Sequence, residues 1–112
     1  MKRGDVVLAL FPNSNLLTAK TRPALVVQRD SLQSGLAQIV LAMITSQMTR
    51  AGHPRRVTVL VASPTGQRAG LVSDSVVMTD NLVTVTVSAI SRVIGVLPMA
   101  DIDTALLHTL NL

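Results

Sequence analysis

Short apolar runs rich in valine and isoleucine recur along the chain, each stopped by glycine, proline, asparagine, aspartate or serine. Such runs read as strands, because β-branched side chains pack well on a pleated surface and turn residues end it. The first is Val6 to Phe11, closed by Pro12-Asn13-Ser14-Asn15. The second, Ala24 to Val27, is entered through Arg22-Pro23 and left through Arg29-Asp30-Ser31. Gln38 to Thr45 ("QIVLAMIT") is apolar almost throughout, which predicts a central strand covered on both faces. Val57 to Ala62 makes a fourth strand, ended by Ser63-Pro64-Thr65-Gly66, and Val76 to Met78 a short fifth. Leu82 to Val87 alternates cleanly, setting Val83, Val85 and Val87 on one face. Val93 to Leu97 adds a last short piece. Only the C-terminus reads as a helix, with Asp101 as N-cap, Asp103 in the first turn, and Ile102, Leu106 and Leu110 at four-residue spacing. Ala105 widens that stripe, while His108 falls on its polar side. Many short strands with one terminal helix predict a mainly β fold, a small, strongly curved antiparallel sheet or barrel.

The chain has 112 residues and shows no repeat or linker, so one domain over residues 1–112 is expected. At 48% hydrophobic and 14% charged residues it should fold rather than stay disordered. The longest uncharged run, Ser31 to Thr49, is interrupted by glutamines, a glycine and serines and makes a poor membrane span. Met1-Lys2-Arg3 leads at once into Gly4-Asp5, unlike a signal peptide, so a cytoplasmic location is expected. The absence of cysteine excludes disulfides, thiolate zinc sites and a cysteine nucleophile.

The charge balance is basic. Ten lysines and arginines face six acidic residues, all aspartate, for a net +4. This suits a phosphate-rich partner, although the same charge also serves solubility. With one Phe and no Tyr or Trp, recognition of bases by aromatic stacking is excluded as the main device.

Arg22 is the first candidate. Pro23 forces the preceding residue into extended geometry, so the arginine is held by a stiff backbone where the chain enters the core. Read alone, it is equally a surface cation beside a strand. Thr45-Ser46-Gln47 places two hydroxyls and an amide where an apolar strand surfaces, a common location for function and also an ordinary strand end. Asp74 and Asp80-Asn81 flank the short fifth strand, where turn chemistry accounts for them. Asp74 is in addition a candidate proton acceptor if an arginine lies beside it. His53 and His108 raise an acid–base pair, but one lies in a loop and the other on the outer face of a helix. Two such histidines without cysteine or glutamate do not make a metal site, and no phosphate-binding glycine loop is present. Arg50, Arg55, Arg56 and Arg68 flank the fourth strand as a basic rim or a solvated face.

Three ordered segments, "RGDVVLALFPNS", "KTRPALVVQRD" and "IVLAMITSQ", followed by "GLVSDSVVMTDNLVTV" and "SRVIGVLP", resemble the MazF/PemK family of toxin endoribonucleases. The resemblance covers nearly the whole chain. It implies an SH3-like β-barrel that forms a homodimer and cuts single-stranded RNA, without metal or cofactor, by attack of the ribose 2′-hydroxyl. It places Arg22 and Thr45 as catalytic residues. Ser46, Gln47 and the acidic–amide pair Asp80-Asn81 fall in the RNA groove, and Lys20 positions the RNA backbone. A cognate antitoxin with an acidic, disordered tail is the implied protein partner. The segment "NSNLLTAK" replaces a longer loop containing Gly and Glu, and Val83 stands where some members carry a basic residue. Two other readings share the fold: a gyrase-binding toxin like CcdB, and a relative that binds RNA or antitoxin without chemistry.

Overall fold

The computed structural model describes residues 1–12, 17–30 and 35–112. Among these residues there are six strands: β1 (Asp5–Pro12), β2 (Ala19–Val26), β3 (Gln38–Thr45), β4 (Arg56–Val59), β5 (Ser75–Thr86) and β6 (Ile90–Val96). They form one antiparallel sheet in the order β4-β5-β3-β2-β1-β6. The turn read at Pro12-Asn13-Ser14-Asn15 lies mostly outside the described residues, as does Ser31.

Both faces of the central strands are buried. Val6 and Val7 on β1, Ala24 and Leu25 on β2, and Leu41 and Ala42 on β3 are all fully inaccessible, so successive side chains serve two separate cores. One core gathers Val6, Leu25, Ala42, Ile44 and Val77 under the helices, with Ile102 and Ala69. The other gathers Val7, Ala24, Val26, Ile39 and Leu41 with Phe11, Val83, Val85 and Ile90, all residues of the sheet itself. Among the described residues no α-helix contributes to that second core, and the sheet curls over its own face. The curled sheet does not close into a full barrel: β4 and β6 are its two ends, and no pairing joins them among the described residues. Helix α1 (Pro64–Ala69) packs on β6, and α2 (Ala100–Leu110) packs on β4 and β5, which puts helices where barrel closure would have put hydrogen bonds.

The helices depart from the sequence pattern in two ways. The fourth strand stops at Val59, and Ser63-Pro64 opens α1 instead of merely ending a strand. The Ser63 hydroxyl oxygen accepts the Gly66 amide at 3.0 Å, and Pro64 fills the first turn, where its missing N–H is no loss. Gly70, at φ +72°, ends the helix. A Cβ on Gly70 would lie 2.1 Å from the Ile94 carbonyl oxygen, and one on Gly95 would lie 2.3 Å from Ala69 backbone atoms. In α2 the N-cap is Met99, not Asp101, which falls with Asp103 inside the first turn and there complements the helix dipole. Ile102 and Ala105 are buried as expected, but Leu110 is exposed. The Asp103 carboxylate instead pairs with Arg3 at 2.6 Å, and Arg3 also donates to the Val27 carbonyl at 3.0 Å, tying the N-terminus to α2.

The expected fifth and sixth strands are one strand, β5, broken by a bulge. Ala42 pairs with Leu82 and Met43 with Met78, so Thr79, Asp80 and Asn81 are left out of the ladder with β3. The bulge is pinned at Thr79 and at Asp80. The buried Thr79 hydroxyl donates to the Arg55 carbonyl at 2.7 Å and lies 2.9 Å from the Thr109 hydroxyl of α2. Arg56 grips Asp80 through Nη2 at 2.9 Å and Nε at 3.4 Å, while its Nη1 donates to the Arg50 carbonyl at 3.2 Å. Donation from Arg56, and then its charge, hold the Asp80 carboxyl below the ordinary aspartate value.

Two outcomes are expected. Gly95→Ala should lower stability by about 1–3 kcal/mol through forced separation of α1 from β6, read as a lower urea midpoint at unchanged slope. Asp80→Asn should cost about 1 kcal/mol or less at neutral pH. Because the folded carboxyl is the stronger acid, the stabilisation is present above the unfolded value and vanishes as pH falls through about 4 and below. Thermal melts of parent and variant should therefore converge in acid, and a gap that persists there would contradict the ion-pair account.

Candidate active site

β2 keeps its two neighbours over different lengths. Its pairing with β1 runs from Ala19 to Leu25, with Arg22 opposite Ala9 and Pro23 opposite Leu8. Its pairing with β3 covers only Ala24–Met43, Leu25–Ala42 and Val26–Leu41. Proline has no N–H for a ladder, and the β3 contact ends immediately before it in the direction of the strand ends. Arg22 is thus inside a strand, not at its start as the sequence suggested, yet on a stretch that β3 has let go. Had the register continued two residues further, Arg22 would face Thr45. The strands part instead, and both residues line the opening between them.

Two adjoining cavities occupy that opening. They share Arg22, Ile44, Thr45 and Gln47. The first, ≈ 360 Å³, adds Lys20, Ser46, Ser73 and Ser75. The second, ≈ 260 Å³, adds Met43, Arg50, Met78 and Asn81. The Gln47 backbone N–H donates to the Thr45 hydroxyl oxygen at 3.1 Å. That bond fixes the oxygen and leaves the hydroxyl proton to be donated elsewhere. The lining holds three cations, several hydroxyls and amides, and neither a carboxylate nor a histidine.

Lys20, Arg22, Thr45, Ser46 and Gln47 therefore come together, and Asn81 joins them from the bulge. Two candidates do not. Asp74 is directed elsewhere: its carboxylate accepts the Val61 amide at 2.8 Å, while its neighbours Ser73 and Ser75 line the first cavity. Asp80 is engaged by Arg56 instead of facing the cavities. The histidines are not a pair in this cleft: His53 Nδ1 accepts the Arg55 amide at 3.2 Å, and His108 is exposed on α2. The basic rim is divided as well, with Arg50 in the second cavity, Arg56 in the ion pair, and Arg68 beside a separate hollow with Val96, Leu97 and Pro98. Met43 and Met78 carry no distinctive signal in the sequence, and Arg50 stands out there only as one cation of the basic rim. Among the described residues no three metal-binding side chains come together, and no helix is long and apolar enough to cross a membrane.

The fold has counterparts among solved structures. An endoribonuclease solved in complex with its cognate antitoxin, from a mycobacterial species, is 23% identical. The match covers 100% of this chain and 96% of that one, with a TM-score of 0.73. The Mycobacterium tuberculosis toxin MazF-mt6 is 26% identical over 96% of this chain and 97% of its own, with a TM-score of 0.70. A further Mtb toxin is 30% identical over 80% of this chain and 89% of its own, with a TM-score of 0.59. No curated protein matches the sequence. The profile of one family, described as the PemK-like, MazF-like toxin of type II toxin–antitoxin systems, matches residues 2–110, and the chain belongs to that family.

Proposed function

We propose that this chain is the toxin of a type II toxin–antitoxin pair, a single cytoplasmic domain acting as a homodimer that cuts single-stranded RNA without metal or cofactor. The observation that carries the reading is the cation-bearing, carboxylate-free lining of the two cavities around Arg22 and Thr45. A surface that offers cations, hydroxyls and amides with no carboxylate matches a polyanion and has no ligand set for a divalent ion.

The ribose 2′-oxygen attacks the adjacent phosphorus, the bond to the 5′-oxygen breaks, and a cyclic phosphate and a 5′-hydroxyl result. One proton leaves the 2′-hydroxyl and one reaches the 5′-oxygen. Arg22 neutralises charge on the phosphorane through a planar fork that meets two oxygens at once, and the proton it passes to the leaving oxygen is returned to it by the water that takes the 2′ proton. Its extended backbone, fixed by Pro23, lowers the entropy of aiming that charge. Thr45 donates to the same oxygens. With Asp74 held by the Val61 amide, a water in the cleft takes the 2′ proton. Lys20, Ser46, Gln47 and Asn81 hold the flanking RNA, and Asp80 acts through the bulge. The antitoxin covers the same basic cleft with an acidic, disordered tail.

A long unstructured RNA incubated with the protein and EDTA should yield ends bearing cyclic phosphate and 5′-hydroxyl groups. Arg22→Ala should remove detectable cleavage while leaving the melting temperature unchanged, and undiminished cutting by it would refute the assignment. Thr45→Ala should slow turnover about a hundredfold, equivalent to about 3 kcal/mol at the transition state, with RNA binding little altered. Intact RNA together with inhibited gyrase would overturn the nuclease reading.

A further inference from the structure

We infer that the second cavity is a base-reading subsite in which Arg50 recognises a guanine next to the cut; this rests on the nuclease reading above. The cavity shares Arg22 and Thr45 with the proposed phosphate position, so whatever fills it lies one step along the RNA. Its ≈ 260 Å³ is below the roughly 300–1,000 Å³ of sites for drug-sized ligands and suits one base. Met43 and Met78 supply its apolar wall, and polarisable thioethers make favourable contacts with aromatic rings. They stand in for the aromatic side chains the composition lacks, since Phe11 packs against the second core.

Charge singles out Arg50. Two ion pairs occur among the described residues, Arg3–Asp103 and Arg56–Asp80, and neither uses it. Asp80, the carboxylate adjoining the lining residue Asn81, is already neutralised by Arg56, so the Arg50 charge is left for a ligand. Arg56 also donates to the Arg50 carbonyl, so one side chain fixes the backbone of Arg50 and the bulge that carries Asn81. Guanine offers two acceptors, O6 and N7, to an arginine fork, and its remaining donors meet the amide oxygens of Asn81 or Gln47. Adenine would set its amino group against the guanidinium, donor against donor.

The test is digestion of a randomised single-stranded RNA under EDTA, with the new ends mapped by sequencing for the parent, Arg50→Ala and Arg50→Lys. The parent should favour guanine about tenfold or more at one position beside the cut. Both variants should still cut, with that preference lost and the others kept, because lysine retains the charge but not the fork. Uniform weakening across all sequences by Arg50→Ala, with recovery in Arg50→Lys, would show a phosphate contact and overturn the inference. So would a parent with no base preference beside the cut. A parent that cuts no RNA would overturn the nuclease reading instead. Binding of 2′-deoxy oligonucleotides then decides the base inference, which fails if guanine is not preferred or if Arg50→Ala keeps the preference.

Discussion

β2 stays with β1 through Arg22 and Pro23 but leaves β3 at Ala24, and the cleft exists because of that unequal pairing. A residue able to continue the β3 ladder would invite the strands to close, and Thr45, already paired with Val76 of β5, would then face Arg22 on its other side as well. Proline offers no donor and stiffens the residue before it. The result is a cation on a rigid strand that nevertheless borders open space. The two cores below, each built from alternate residues of the same strands, keep the parted ends from moving as the rest of the sheet curls.

Charge is sorted around this opening. Asp74 serves the Val61 amide, Asp80 serves Arg56, and Asp103 serves Arg3, so three of the aspartates are committed to holding the fold. What remains along the cleft is positive or neutral and able to donate. An exposed ion pair contributes little to stability, and the effect of Arg56–Asp80 is better seen in geometry. Arg56 lies on β4 and also holds the Arg50 carbonyl, so its side chain ties the turn after β3 to the bulge in β5.

The strands and the two-sided burial of β3 were legible in the sequence because hydrophobic pattern and β-branching act locally. That Arg22 and Thr45 surface at one opening was legible for a related reason: Arg-Pro states its own backbone geometry, and Thr45 ends an apolar run. The helix α1 was missed because Ser-Pro-Thr-Gly is good turn chemistry as well as a good helix start, and only packing of Gly70 and Gly95 against their neighbours decides between them. The fate of Asp74 and Asp80 was not legible, since their partners lie 13 and 24 residues away and are chosen by tertiary structure. The bulge hid in the same way: a break in apolar character looks alike whether the chain turns or a strand merely steps aside.

That step aside has an evolutionary corollary. Asp80 and Asn81 lie outside the β3 ladder, so an insertion or deletion between them would not slide Val76–Met78 or Leu82–Thr86 against β3. Elsewhere in β5 a single added residue would turn every following side chain to the wrong face. Length variation among descendants of this chain is therefore channelled to one point, and that point borders the cleft.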